Sequence, residues 1–188
     1  MSEENSLEEI KKFWPKDAPD LTNVPKYVQK YKKDLIVIKY GGNVLIDRNI
    51  FNNFIQDIST LNKLGFSIIV VHGGGPRIER ELKKGNIQSK FINGLRVTDK
   101  NVINIVEEVL IDFNKDIVSS LNKKGSNAVS INTKTNNVIE VIPDKPELGY
   151  VGIPKEINIE VIRNIIGQNQ IPIAVSYTHL TLPTIYSV

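Results

Sequence analysis

Cysteine is absent from the 188 residues, and histidine occurs only at His72 and His179. Disulfides and cysteine-ligated zinc are thereby excluded, as is a histidine-rich metal centre, so no metal site is expected. No apolar stretch approaches the length needed to span a bilayer, and no membrane partner is expected. The first nine residues are polar and acidic, unlike a secretory signal, and a soluble cytoplasmic protein is the default expectation. Charge of one sign is also lacking: the net charge is only +3. Four lysines fall within residues 26–33, a run short enough to read as a solvated helix face, and no nucleic-acid partner is expected.

What is present suits one domain with a substantial core. Residues 1–24, with Pro15, Pro19 and the adjoining Pro25, read as an N-terminal extension. Tyr27, Val28 and Tyr31 then sit at helical spacing. Leu35-Ile36-Val37-Ile38 and Ile68-Ile69-Val70-Val71 are apolar runs of strand length, the pattern of strands buried on both faces. Between them Phe51, Phe54, Ile55, Ile58 and Leu61 recur at helical spacing, with Gly65 as the stop. Pro76 suits the first position of a helix after Gly75. Asn93-Gly94 predicts a hairpin turn. Thr98 is placed to cap a long apolar-striped helix that Gly125 closes. Residues 128–131 and 138–142 read as strands around a turn at Asn136-Asn137, residues 158–166 as a helix, and residues 171–175 as a last strand. Alternating strands and helices predict an α/β fold, a three-layer α/β/α sandwich with a mainly parallel sheet.

Two glycine clusters follow the first two buried strands: Lys39-Tyr40-Gly41-Gly42-Asn43 and His72-Gly73-Gly74-Gly75. Ligands of open α/β sheets bind at that edge. Glycines there admit close approach of backbone N–H groups to an anion, and a helix start adds its positive end. Tight strand-to-helix turns would also need glycine. No G-x-x-x-x-G-K-[ST] occurs, and Ile78 stands where G-x-G-x-x-G needs its third glycine, so neither a P-loop nor a Rossmann site is expected. Lys39 near the end of an apolar strand is costly unless it emerges into a site or pairs with an anion; a snorkelling structural lysine would read the same, and the adjacent Gly41-Gly42 favours a site. Arg96, just after the hairpin turn, has the geometry to hold a carboxylate in a bidentate fork, though a surface arginine would read the same.

Taken together, Lys39-x-Gly41-Gly42-Asn43, Val71-His72-Gly73-Gly74-Gly75-Pro76 and Asn93-Gly94-Leu95-Arg96-Val97-Thr98-Asp99 resemble the acetylglutamate kinases of the amino-acid-kinase fold. Asn114-Lys115-Asp116-Ile117-Val118 and Leu148-Gly149-Tyr150-Val151-Gly152 agree with it. The first two motifs are shared with carbamate, aspartate and glutamate 5-kinases, and the hairpin motif narrows the resemblance. It implies phosphoryl transfer from ATP, supplied with Mg2+, to the γ-carboxylate of N-acetyl-L-glutamate in arginine biosynthesis. By the same resemblance Lys39 neutralises the phosphoryl group in flight, and Gly41 and Gly42 donate to the ATP phosphates. Gly74 and Gly75 meet the reacting carboxylate, and Arg96 clamps the α-carboxylate. A homo-oligomer joined through the helix near residues 25–33, and feedback inhibition by arginine, are implied for the full-length enzyme.

Residues 25–175 are thus expected to form the acetylglutamate-binding lobe. Residues 176–188 match nothing in the family and read as a foreign tail. Ile111-Asp112-Phe113 is one residue shorter than the family pattern, and Thr133-Lys134-Thr135 replaces a Gly-Lys-Asp turn, which makes Lys134 a poor site candidate. The nucleotide-binding half is expected to be missing, the chain inactive alone, and residues 171–175 an unpaired sheet edge. Two alternatives remain at this point: an amino-acid kinase with another acceptor, and a non-catalytic module that binds acetylglutamate.

Overall fold

The computed structural model describes residues 8, 10–18, 20–41, 47–132 and 138–176. Gly42, Lys134, the Asn136-Asn137 turn and the tail from residue 177 lie outside them. Four strands form one parallel sheet: β1 (Leu35–Tyr40), β2 (Ser67–His72), β5 (Ala128–Ile131) and β8 (Ile171–Val175), in the order β1-β2-β8-β5. Between β2 and β5 lie a short hairpin, β3 (Phe91–Ile92) and β4 (Leu95–Arg96). After β5 come β6 (Ile139–Pro143) and β7 (Gly152–Ile157), which pair antiparallel as a separate two-stranded unit. The helices are α1 (Val24–Tyr31), α2 (Arg48–Lys63), α3 (Gly75–Lys84), α4 (Lys100–Lys123) and α5 (Ile159–Gly167).

One face of the sheet carries the main core. Ile68 and Val70 of β2, Ile171 and Ile173 of β8, and Ala128 of β5 pack against Ile55 and Ile58 of α2 and Phe113, Ile117 and Leu121 of α4. The long helix α4 divides its work. Its second half covers the sheet, while Val102, Ile103, Val106 and Leu110 of the first half pack with Ile78 and Leu82 of α3. The other face is lined by Ile69, Val71, Ala174 and Ile131, with Ile162 of α5 and Ile139 and Ile157 of the β6–β7 unit set over a cavity of about 300 Å³. These are the three layers that the alternating pattern predicts.

Local chemistry explains most boundaries. Asp47 caps α2 by accepting from the N–H groups of Asn49 and Ile50, and Gly65 ends that region at φ 85°. Asn93 and Gly94 adopt φ 51° and 80°, the left-handed pair that a two-residue hairpin turn requires.

Four expectations are corrected. The β1 run is not buried on both faces, since Leu35 is 47% and Val37 62% exposed. Among the described residues, helices cover this strand on one side only. The strand at residues 171–175 is central, paired to both β2 and β5, so among the described residues the sheet edges are β1 and β5. Asp99, not Thr98, caps α4, accepting from Asn101 N–H at 2.8 Å and Val102 N–H at 3.0 Å. Finally, β6 partners β7 rather than the preceding strand.

Thr98 instead joins two loops. It is fully buried, its N–H donates to Leu148 O at 3.0 Å, and its carbonyl accepts from Tyr150 N–H at 2.8 Å. Gly149 between them has φ 69°, and a Cβ there would collide with Thr98 O. Gly149→Ala therefore combines backbone strain with a clash against backbone. We expect a loss of about 2 kcal/mol, lowering the melting temperature by about 4–8 °C in a thermal unfolding experiment.

Candidate functional site

The register of β1 and β2 places Tyr40 opposite His72, so the chain segments that follow leave the sheet side by side. Gly73 N–H donates to Tyr40 O at 3.1 Å, extending the ladder one step past the strands. Gly41 thus lies beside Gly73, and Gly74 and Gly75 open α3 at the same carboxyl edge. Gly74 is the N-cap, and a Cβ on it would run into the side chain of Leu110. Helix α3 therefore points its positive end and its unsatisfied first N–H groups toward this edge. Lys39 is exposed on β1, on the side away from Tyr40 and the α2–α4 layer.

Arg96 is held rather than splayed into water. Its side chain is 12% exposed, its Nη1 donates to Glu79 Oε2 at 3.1 Å and to Ser89 Oγ, and its guanidinium stacks 4.7 Å from the Phe91 ring centroid. Glu79 also accepts from the Ser89 hydroxyl. That hydrogen bond first, and Arg96 second, hold the Glu79 carboxyl below its usual pKa. Glu79 lies four residues past Gly75, one helical turn into α3, so the hairpin arginine is tied to the helix that the glycines begin. Of the residues singled out in the sequence, Gly41, Gly74, Gly75 and Lys39 share the edge of β1 and β2, and Arg96 is linked to it through Glu79. Among the described residues no cluster of His, Asp and Glu side chains is arranged to hold a metal ion.

Behind the glycines lies a polar pair inside the core. His72 and Asn114 are 0% and 1% exposed. Asn114 Nδ2 lies 3.0 Å from His72 Nε2 and donates to Ile173 O at 2.8 Å. His72 Nδ1 lies 3.1 Å from Gly73 O. Since a carbonyl accepts only, Nδ1 carries the proton, and Nε2 offers its lone pair to the Asn114 amide. The imidazole is neutral, and burial lowers its pKa from 6.5. It meets Phe113 edge-on at 5.0 Å, and Arg77 stacks 3.9 Å from the same ring while pairing with Asp116 at 3.1 Å.

Glu79 and Ser89 were not singled out in the sequence, and His72 and Asn114 stood in the motifs without a role of their own. For Asn114 a signal existed, because an asparagine on the apolar stripe of a helix must find a buried partner. Glu79 and Ser89 gave none, being polar residues of ordinary type in a polar stretch.

The His72 shift has a defined sign. The folded pKa lies below the unfolded one, so the unfolded chain takes up the proton first as pH falls. Stability contributed by neutral His72 is full above about pH 6.5 and is lost as pH drops toward the folded pKa. Urea unfolding should therefore show a drop in stability between about pH 8 and about pH 5.5 that shrinks in His72→Gln, which cannot titrate.

Comparison with known proteins places this edge in context. The model of the amino acid kinase family matches residues 34–186. The chain is 51% identical over 166 residues to the acetylglutamate kinase of Pelagibacter ubique, covering 88% of this chain and 58% of that protein. It is 43% identical over 150 residues to the acetylglutamate kinase of Caldanaerobacter subterraneus, covering 78% and 50%. The chain thus spans about half the length of the curated relatives it matches. Among solved structures, the protein smu.665 of Streptococcus mutans superposes with a TM-score of 0.68 at 32% identity, covering 76% of this chain and 58% of that one. The N-acetylglutamate synthase of Neisseria gonorrhoeae superposes with a TM-score of 0.69 at 17% identity, covering 86% and 39%, a likeness of fold alone. A kinase family implies use of a nucleotide, and no described helix is long and apolar enough to cross a membrane. With the family pattern running through the sheet, both glycine turns and the Arg96 hairpin, the chain belongs to the amino acid kinase family.

Proposed function

We propose that this chain supplies the acceptor site of an acetylglutamate kinase, which transfers the γ-phosphoryl group of Mg-ATP to the side-chain carboxylate of N-acetyl-L-glutamate. The observation that carries the reading is the coupling of Arg96, through Glu79, to the helix that Gly74 and Gly75 open. The identity with relatives bearing that name supports it. Phosphoryl transfer demands mainly positioning and charge neutralisation. In this reading the N–H groups of Gly74 and Gly75 meet the reacting carboxylate, and Arg96 grips the α-carboxylate with the guanidinium nitrogens that Glu79 does not engage. Lys39 neutralises the moving phosphoryl group, and Gly41, with Gly42, receives the ATP phosphates. The nucleotide's other contacts belong to the length that the relatives have beyond this match. Residues 25–175 form the acceptor lobe, and the enzyme works in the cytoplasm.

Self-association through α1 and inhibition by arginine belong to the same proposal. Tyr27 and Tyr31 stack with centroids 6.4 Å apart on α1 and are 54% and 37% exposed, an aromatic face available to a second copy.

The reaction is tested by acetylglutamate-dependent ADP release, assayed on this chain and on the same residues joined to the remaining length of the Pelagibacter ubique relative. ADP release with aspartate or glutamate but not acetylglutamate would move the chain to another acceptor, and binding without turnover by the joined protein would mark a non-catalytic module. Arg96→Ala should weaken acetylglutamate by about 1.5–3 kcal/mol, roughly 10- to 100-fold, and leave ATP affinity within about twofold. Calorimetric titration of each ligand decides it, since equal losses for both would remove Arg96 from the acceptor site.

A further inference from the structure

We propose that His72, fixed by Asn114, is a positioning residue that sets the Gly73–Gly74 peptide and thereby aims Gly74 N–H at the acceptor site. Two peptide planes meet at Gly73. The first is fixed because Gly73 N–H donates to Tyr40 O and His72 O accepts from Ser176 N–H at 2.7 Å. The second contains Gly73 O and Gly74 N–H, which point in opposite directions across a trans peptide. Glycine stands on both sides of that plane, so sterics alone would let it rotate. Gly73 O is 3.1 Å from His72 Nδ1, and this contact turns the carbonyl inward and leaves the Gly74 N–H facing away from the imidazole. Among the described residues no backbone carbonyl accepts from Gly74 N–H.

The imidazole can do this in one tautomer only. With the proton on Nε2, the Nδ1 lone pair would oppose the Gly73 carbonyl and favour the rotated peptide. Asn114 excludes that form. Its Nδ2 has one hydrogen for Ile173 O on β8 and one for His72 Nε2, so Nε2 must accept. The amide is itself placed by α4, one residue past Phe113, whose ring packs edge-on against the imidazole. A helix and two strands thus converge on one proton, and that proton selects the direction of a backbone donor. This accounts for the pairing of His72 before the glycines with the asparagine at position 114, which phosphoryl-transfer roles leave unexplained.

The proposal rests on the reading that Gly74 N–H meets the acceptor carboxylate, and the test separates the two. In the ligand-free chain labelled with ¹⁵N-histidine, long-range ¹H–¹⁵N correlations report the tautomer, with His179 assigned through His179→Gln. The expected result is a proton on Nδ1 and none on Nε2, and the Nε2–H form would overturn the proposal whatever the ligand does. Acetylglutamate is then titrated calorimetrically into the wild type, His72→Asn and His72→Phe. Asparagine places an N–H donor where Nδ1–H stands, whereas phenylalanine keeps a ring against Phe113 and offers no donor. Phenylalanine should weaken binding about tenfold and asparagine less than about threefold. The reverse order would show that His72 serves packing alone and would defeat the proposal. Asn114→Ala provides a second handle should the phenylalanine variant not fold. It should mix the two tautomers and weaken acetylglutamate, and an unchanged tautomer with unchanged affinity would again overturn the inference. A wild type with the expected tautomer that binds no acetylglutamate would instead bring down the acceptor-site reading, and the aim assigned to Gly74 with it.

Discussion

The hydrogen bond between His72 and Asn114 is the constraint on which the carboxyl edge of this sheet depends. Both side chains are removed from water, so each is tolerable only with the other in place. Their contact fixes where α4 crosses the sheet, because Asn114 must reach β2 and β8 at once. Apolar packing could be satisfied by small shifts of α4 along its axis. A pair of directed bonds to two different strands cannot, which is how buried polar groups specify one arrangement among several of similar burial. Phe113, adjacent on the helix, then gathers Tyr40, Phe51, His72 and Arg77 around one ring.

A second joint lies at Thr98. Its backbone receives from Tyr150 and donates to Leu148, and its hydroxyl donates to Arg96 O at 3.1 Å. The hairpin that carries Arg96 is therefore anchored at its base to the loop around Gly149, and at its side chain to Glu79 of α3. Without these ties β3 and β4, at two residues each, would be too short to persist as a hairpin on their own. The exposed Phe91 and Leu95 contribute little burial that could replace them.

How much of this was readable in the sequence depended on whether a feature is decided locally. Glycine at positions 65, 94 and 125, all with positive φ, and the apolar runs of β2 and β8 announced themselves because turn sterics and burial act within a few residues. The two glycine clusters at adjacent strand ends were legible for the same reason. The failures are all non-local. An apolar run records that a strand is buried somewhere, not whether both faces are covered, so β1 with its open Leu35 and Val37 looked like β2. Chain order does not fix strand order, and β8 slips between β2 and β5 because a crossover brings it there. Thr98 and Asp99 are both good caps, and the choice fell to Asp99 because Thr98 is taken up by its contact with the Gly149 loop. Gly74 and Arg96 could be singled out as candidates from sequence, but Glu79 could not. Its role arises only when α3 and the hairpin meet.

Glu79 also bears on what kind of ligand such a site can prefer. An arginine buried to this degree without a counter-charge would be costly, and the carboxylate 3.1 Å away offsets part of its charge, although Glu79 also faces Lys83 at 3.8 Å. Charge alone would not distinguish one anion from another at Arg96. Selectivity has to come from geometry. Glu79 engages Nη1, while guanidinium presents five N–H donors in a rigid planar fork, so the remaining donors stay aligned and pre-oriented by the Phe91 stack. A planar carboxylate that meets two of them gains directed bonds at little further cost in side-chain freedom, whereas a spherical ion gains little. The same trade appears at Gly74, where a backbone N–H carries only a partial charge and acts through its direction. In the proposed acceptor site, these two groups would select a ligand with two carboxylates through the direction of their donors as well as through charge.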